Sequence, residues 1–367
     1  MISEPQSLVR VESNLFLQLD NLGHEQVVFC HDHYTGLKAI IAIHNTVLGP
    51  AMGGTRMWAY SSESEALEDV LRLSRGMTFK NAMAGLHLGG GKAVIIGDAR
   101  KIKTEALLRL YGKFIKNLNG KYITAEDMGM TERDMEYIAQ ETSFVAGLPH
   151  YRGGSGSPAP MTALGTYVGM KAAAKKAFGT DSLEGKTIAV QGVGSVGEIL
   201  IGYLAKENAR IVVTDIFEDR IKKVAQQYKV TVVSPEDIYD VPADIYSPCA
   251  RGATINDSTL QRLKAQVIAG CANNQLADEQ LHGTACMKMG IVYVPDFVIN
   301  SGGVINIATE IAGSYNQAWA KAKTEEIYDR VLQVLQKAES QRRNAQLVAL
   351  EMAWQRIQDI ARIKATY

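Results

Sequence analysis

The chain has 367 residues, with 39 Lys and Arg against 39 Asp and Glu, 46% apolar residues and 21% charged ones. At about 150 residues per domain this predicts two domains with ample core, and a formal net charge of zero leaves no basic surplus to favour nucleic acid or an anionic membrane. No apolar stretch reaches the roughly 18 residues needed to span a bilayer, and the opening Met1-Ile-Ser-Glu-Pro-Gln-Ser7 puts an acid and a proline where a secretion signal needs an apolar core, so a soluble cytoplasmic protein is expected.

Gln26–Cys30 and Leu37–Ile43 are β-rich and flank the turn-like His31–Gly36, which predicts an antiparallel hairpin. His31 and His33 have no third ligand beside them, and no metal is expected. Ser62-Glu-Ser-Glu65 has the capping-box spacing and opens a helix whose Ala66, Val70, Leu73 and Met77 share one face. Gly89–Gly91 reads as a glycine turn leading into a short buried strand, Ala93–Ile96; a helix over Thr104–Leu118 and a strand over Tyr122–Ala125 follow. This alternation predicts an α/β first domain with a mixed sheet over residues 1–150.

Arg152-Gly-Gly-Ser-Gly-Ser-Pro-Ala-Pro160 has no apolar period and reads as a domain junction. Beyond an Ala-rich helix, strand patterns recur at Lys186–Gln191, Arg210–Thr214, Val230–Val233, Asp244–Tyr246, Val267–Ala269 and Ile291–Tyr293, with helical patterns between several of them. They predict a doubly wound, Rossmann-type parallel sheet over residues 151–341. Two helices close the chain, one lined by Ile327, Val331, Val334 and Ala338, the other by Leu347, Leu350, Trp354, Ile357 and Ala361. The last, about 342–367, is expected to return to the first domain. Cys30, Cys249, Cys271 and Cys286 form no Cys-x-x-Cys pair and read as buried or partly buried thiols, not a disulfide frame.

Gln191-Gly192-Val193-Gly194-Ser195-Val196-Gly197 directly follows a strand and opens a helix. Glycines so spaced permit a tight turn, a close backbone approach to a pyrophosphate and close helix–strand packing. The next strand ends in Asp215, 18 residues beyond Gly197, where a carboxylate accepts from ribose hydroxyls and repels a 2′-phosphate. The pattern therefore predicts NAD over NADP. Gly89-Gly-Gly-Lys92 and Gly185-Lys-Thr187 resemble phosphate-binding loops, but Leu86 and Thr180 stand where each motif needs its first glycine.

The first domain carries Gly53-Gly-Thr-Arg-Met57, Lys80, Lys92 and Thr124-Ala-Glu-Asp127 at the ends of predicted elements. Lysines at element ends usually reach for water, yet two glycine-flanked lysines and an acid brought to one cleft predict a site. Neighbouring lysines disfavour each other's charge, so one can serve as a neutral base while the other pairs with a carboxylate. Asp127 can then pass a proton to or from an amine. Opposite a nicotinamide, these groups suit hydride removal from an amino-acid Cα followed by imine hydrolysis.

The segments 49–57 (Gly-Pro-Ala-Met-Gly-Gly-Thr-Arg-Met), 84–92 (Ala-Gly-Leu-His-Leu-Gly-Gly-Gly-Lys), 122–127 (Tyr-Ile-Thr-Ala-Glu-Asp), the dinucleotide fingerprint and 296–306 (Asp-Phe-Val-Ile-Asn-Ser-Gly-Gly-Val-Ile-Asn) resemble the Glu/Leu/Phe/Val dehydrogenase superfamily, and its branched-chain, leucine-acting members look closest. The match runs in consistent order from about Gly23 to about Glu310. The resemblance implies a homo-oligomer, often an octamer, whose two domains close over a cleft. Within that cleft the enzyme would convert L-leucine and related branched-chain substrates to 2-oxo acids and ammonia with NAD. It further implies that Lys80 binds the substrate carboxylate with the backbone of Gly53 and Gly54, that Lys92 is the general base toward water, and that Asp127 exchanges protons with the amine. Asn274 and Thr162 would hold substrate or nicotinamide, Met52, Ala125, Val304 and Ile307 would form the side-chain pocket, and Cys249 and Ala250 would lie near the adenosine.

Three positions depart from the family pattern. Met52 stands where leucine-acting members commonly carry Leu, and methionine is a deformable wall. Gly197 replaces a frequent alanine. Arg251 takes a usually apolar position and is expected to soften the bias against NADP. An aromatic amino-acid dehydrogenase is the alternative within the class, and a catalytically silent NAD-binding assembly or regulatory protein is the alternative outside it.

Overall fold

The computed structural model describes residues 15–250 and 252–366. α1 (Leu15–Leu22) leads into β1 (Gln26–His31) and β2 (Lys38–Asn45), which pair antiparallel from Gln26 opposite Ile43 to His31 opposite Lys38. Asp32 closes the hairpin turn by accepting from Thr35 N and Oγ1 at 2.7 and 2.8 Å. Next come β3 (Ala51–Met52), β4 (Thr55–Trp58), α2 (Glu63–Met83), β5 (Gly89–Ile96), α3 (Ala99–Ile102), α4 (Glu105–Asn117), β6 (Tyr122–Ile123) and α5 (Glu132–Ala139). The sheet order is β1-β2-β5-β3-β6, with β4 also on β5. β2 meets β5 antiparallel, whereas β3 and β4 run parallel to β5, so the sheet is mixed as expected.

α2 begins where the capping pattern places it, with Ser62 Oγ accepting from Glu65 N at 3.1 Å. The reciprocal half is displaced by one residue, because the Glu65 carboxylate accepts from Ser61 N and Oγ. Ala66, Val70 and Met77 are buried, while Leu73 is half-buried at the cleft.

The expected Gly89–Gly91 turn is instead the opening of β5. A Cβ on Gly89 would lie 2.0 Å from Asn45 O, one on Gly90 2.0 Å from Thr78 Oγ1, and one on Gly91 2.8 Å from the Tyr122 ring. These glycines let a strand pass between α2 and its neighbouring strands; they do not reverse the chain. Lys92 is consequently fixed within a strand. The Tyr122–Ala125 strand pairs regularly over two residues only, and Thr124 and Glu126 continue as isolated bridges to Val145 and Thr55.

α6 (Ala159–Phe178), β7 (Thr187–Gln191), α7 (Ser195–Lys206), β8 (Arg210–Thr214), α8 (Glu218–Gln227), β9 (Val230–Val232), β10 (Ile245–Pro248), α9 (Asp257–Arg262), β11 (Val267–Ile268), α10 (Leu281–Lys288) and β12 (Val292–Tyr293) form the second sheet and its covering helices. Its order is β12-β11-β10-β7-β8-β9, and every pair is parallel. The chain moves outward from β7 through β9, then returns to β10, which places the reversal point between β7 and β10 as in dinucleotide-binding sheets.

The chain ends in α11 (Asp296–Ile299), α12 (Gly302–Ile311), α13 (Gln317–Glu325), α14 (Ile327–Gln341) and α15 (Ala345–Thr366). α15 packs on α2 and α14, and Arg356 donates to Ala82 O and Leu86 O, both at 2.8 Å. Its buried face is Val348, Ala349, Ala353 and Ile357; of the expected stripe only Ile357 is buried, whereas Trp354 is 43% exposed and Leu347, Leu350 and Ala361 are only partly covered. Small residues at 349 and 353 allow close helix approach, and Trp354 meets the Phe79 ring at the rim, 6.4 Å between centroids. No helix among the described residues is long and apolar enough to cross a membrane.

Candidate active site

The two sheets face one another across a cleft of about 850 Å³. On one wall, α2 delivers Lys80 in its last turn, and Asn81 Nδ2 anchors the helix to Gly89 O at 2.6 Å. Lys80 Nζ crosses the cleft and donates to Asn273 Oδ1 at 3.1 Å. Asn300 Nδ2 donates to the same oxygen at 2.7 Å and to Cys271 O at 3.1 Å. Lys92, buried in β5, is ion-paired with Asp127, whose Oδ2 also lies 3.5 Å from Arg56 Nε. Arg56 is held in turn by Asp69 at 2.9 Å.

Electrostatics divide these groups. Burial alone would raise the Asp127 carboxyl, but Lys92 and Arg56 outweigh it and hold the group at about 2, an acceptor at neutral pH. Burial lowers Lys80 to about 8; Asp296 opposes that shift and Lys92 reinforces it by like-charge repulsion. Asp296 is raised by its own burial, with Lys80 opposing. Lys80, which reaches across to the second sheet's wall, is thus a weakened ammonium.

Met52, Ala125, Val304 and Ile307 line the cleft and are at most 8% exposed. Gly54, Thr162, Val196 and Asn274 line it as well. Gly53 is placed behind this wall: its N–H donates to Ile123 O at 3.2 Å, and its carbonyl accepts from Tyr122 OH at 2.6 Å. A Cβ there would strike Gly91 O at 1.9 Å, so this glycine serves the packing of β5.

After β7, a central strand of the second sheet, the fingerprint glycines separate by role. Gly192 has φ +102°, and a Cβ on it would lie 2.5 Å from the Ala250 Cβ. A Cβ on Gly197 would lie 2.1 Å from Gly192 O, so this glycine lets α7 sit on the turn. Gly194 is different, since a Cβ there would meet only the Arg220 guanidinium at 3.6 Å. No side chain caps α7, leaving the N–H groups of Ser195, Val196 and Gly197 directed outward from the helix start. Asp215 fixes the turn by accepting from Val193 N at 2.8 Å and Phe217 N at 3.0 Å. Cys249 N donates to Gln191 O at 2.7 Å, which sets Cys249 and Ala250 against Gly192. A bare glycine with space before it and an uncapped helix start fit a dinucleotide pyrophosphate. Arg251 lies outside the described residues.

Models of known families match both halves. The Glu/Leu/Phe/Val dehydrogenase, dimerisation domain, covers residues 24–144, and the Glutamate/Leucine/Phenylalanine/Valine dehydrogenase model covers 153–217 and 213–363. The chain belongs to the Glu/Leu/Phe/Val dehydrogenase family. Leucine dehydrogenase of Bacillus subtilis is 54% identical over 353 residues, 96% of each chain. Phenylalanine dehydrogenase of Caldalkalibacillus thermarum is 46% identical over 94% of each. The crystal structure of L-tryptophan dehydrogenase from Nostoc punctiforme has a TM-score of 0.81 at 43% identity, covering 94% of this chain and 99% of that one. As a Glu/Leu/Phe/Val dehydrogenase the chain is an amino-acid dehydrogenase with the two-domain fold, its cleft between a mixed-sheet domain and a Rossmann-type domain.

Sequence reasoning passed over several cleft residues of this dehydrogenase. Asn273 precedes Asn274 in one motif, but Asn274 takes a left-handed φ of +52° and gives its N–H to the Asp296 carboxylate, while Asn273 turns its side chain to Lys80. Asp296 and Asn300 lie inside the 296–306 segment, and Arg56, which reaches the site only by pairing with Asp127, lies inside 53–57. Their motifs were visible; the backbone turn that selects one asparagine over its neighbour was not.

Proposed function

We propose that this dehydrogenase oxidatively deaminates L-leucine and related branched-chain L-amino acids with NAD. The amino acid, NAD and water would give the 2-oxo acid, ammonium, NADH and a proton, reversibly. One observation carries the reading: Lys80, Lys92 and Asp127 share a cleft with four buried apolar side chains, Met52, Ala125, Val304 and Ile307. Such walls reward an aliphatic side chain and leave a glutamate carboxylate without a partner.

Lys80 would pair with the substrate carboxylate beside Gly54, and this anion would restore the ammonium that burial weakens. Asp127, an acceptor at neutral pH, would take a proton from the substrate amine. NAD, held by Gly192–Gly197, Asp215, Cys249 and Ala250 and positioned by Thr162 and Asn274, supplies the hydride acceptor. Lys92 would then act as the general base that draws a proton from the water attacking the iminium carbon. Asp127 then returns a proton to the departing ammonia. Residues 1–150 would form the substrate domain and 151–341 the cofactor domain, with α15 returning to the first. A homo-oligomer goes with this reading, since the model matching 24–144 is that of a dimerisation domain, and a cytoplasmic location is proposed with it.

Met52 supports a second reading, an aromatic substrate, because a thioether chain can yield to a larger ring. Recording NADH formation with leucine, isoleucine, valine, phenylalanine, tryptophan and glutamate separates the two. Fastest turnover with leucine, isoleucine and valine is expected; a preference for phenylalanine or tryptophan moves the error to the pocket. NAD binding without turnover on any of them would favour a silent module.

A further inference from the structure

β10 and β11 run in register, Tyr246 opposite Ile268, and their chains stay together beyond the sheet, with Ala272 N donating to Pro248 O at 2.9 Å. Cys249 and Cys271 flank that backbone bond, one next to Pro248 and the other next to Ala272, close enough for each thiol to influence the other's ionisation. Gly270 lets the chains close up, since a Cβ there would lie 2.2 Å from Pro248 O. Cys30 and Cys286 are different: both are buried, and burial pushes each thiol up to about 12.

The pair is polarised. Cys271 and Ser247 Oγ, the latter 3.4 Å from the Cys249 sulfur, hold the Cys249 thiol below its ordinary value and so favour its thiolate. Cys271 rises correspondingly, well above the ordinary thiol range. Cys271 also lines the cleft, so a small reagent that enters with substrate reaches the pair.

We propose that Cys249 and Cys271 form a site of oxidative modification, at which a peroxide in the cleft converts the two thiols into a disulfide that disables the enzyme reversibly. The Cys249 thiolate attacks one peroxide oxygen, giving a sulfenic acid and, with one proton, water. The Cys271 sulfur then displaces the sulfenic hydroxyl as a second water. Two thiols lose two electrons and two protons, and hydrogen peroxide becomes two waters. The bond from Ala272 N to Pro248 O joins the two chains beside the cysteines, and a disulfide spans a Cα separation of about 4.4–6.8 Å.

The bond draws together two segments with separate duties. Cys249 holds Gln191 O, and its neighbour Ala250 packs on Gly192 of the dinucleotide turn. Cys271 O is bound by Asn300, which also binds Asn273, the partner of Lys80. An S–S length of about 2.05 Å requires closer approach than a hydrogen bond, so closure shifts one segment or both. The effect on activity rests on the reading of this cleft as the active site; formation of the bond does not.

Hydrogen peroxide is the probe, and each protein is compared with its own untreated rate. The expected result is a cross-linked peptide pair containing Cys249 and Cys271, lighter by two hydrogens, with loss of most NADH formation and recovery after dithiothreitol. Cys271→Ser should show no such cross-link and keep most of its own rate, with Cys271→Ala as the substitute if the serine variant folds poorly. Absence of the cross-link, a cross-linked enzyme at full rate, or equal inactivation of Cys271→Ser would overturn the proposal. The mass measurement needs no turnover, so it decides the modification even if no amino acid is a substrate.

Discussion

Lys80 on α2 and Asn273 beyond β11 stand 193 residues apart in sequence and 3.1 Å apart across the cleft. The proposed carboxylate-binding lysine is thus positioned by the opposite sheet, and its charge depends on both walls. Burial brings it down to about 8, so below that pH it is the cation a carboxylate needs, and above it the cation is lost. The KM for the amino acid should therefore climb as pH rises beyond about 8. Lys80→Ala should raise KM by about 10- to 150-fold, as expected for a hydrogen bond to a charged group, and flatten its pH dependence. A flat parental KM across pH 7–10 would remove Lys80 from this role.

Lys92 and Asp127 form one ion pair; removing Asp127 strands the buried Lys92, while removing Lys92 leaves Asp127 with Arg56 alone. Lys92→Ala should lower kcat by at least about 10²–10⁴-fold while NAD binding, followed by fluorescence, stays nearly intact. Asp127→Asn should lower kcat with a smaller change in KM. Full activity in Lys92→Ala would overturn the base assignment.

Met52 is 1% exposed and closes the apolar wall. Met52→Ala should shift kcat/KM from leucine toward phenylalanine by roughly 1–3 kcal/mol, about 10- to 200-fold in the ratio. An unchanged ratio would mean that another residue bounds the pocket.

Gly192→Ala forces a side chain onto a φ of +102° and against Ala250. Strain of this kind costs about 1–3 kcal/mol, and it falls on the turn proposed for the pyrophosphate. A fall in Tm of several degrees with a larger NAD Kd is expected. Unaltered NAD affinity would show that the dinucleotide does not use this turn.

Much of this arrangement was legible because periodic patterns report burial. The six parallel strands, the capped start of α2 and the fingerprint glycines each left a local signature. Gly89–Gly91 misled because a glycine run reads alike whether it reverses a chain or lets a strand pass under a helix; only Thr78, Asn45 and Tyr122, distant in sequence, distinguish the two. The Arg152–Pro160 junction hid a different feature. Glu310 accepts from Gly147 N, Leu148 N, Ser155 N and Ser155 Oγ at 2.8–3.1 Å, fixing the connection between the sheets from 155 or more residues away. A composition rich in glycine and proline announces freedom, and the carboxylate that removes it lies elsewhere.

The remaining test concerns acid stability, and it centres on His24 and His44. Their rings meet edge to face with centroids 4.9 Å apart. His44 bonds Thr78 Oγ1 at 2.7 Å and Leu22 O at 2.9 Å, while His24 bonds Ser74 Oγ at 2.8 Å, so the pair ties α1 to α2. Burial lowers both to about 4; for His44 the neighbouring His24 adds to that shift, and Arg75 depresses both. The sign follows directly. Folded pKa values below the unfolded 6.5 mean that the unfolded chain binds protons first, so stability is whole above about pH 6.5 and is lost as pH falls toward 4. At about 1.36 kcal/mol per unit the loss is at most about 3 kcal/mol for His44, and less for the more exposed His24. Urea midpoints at pH 7.0, 6.0 and 5.0 should decline steadily across a range in which ordinary carboxylates change little. His44→Leu should be less stable at pH 7, having lost both hydrogen bonds, yet show a shallower decline. An equal slope in parent and variant would place the acid sensitivity outside this pair.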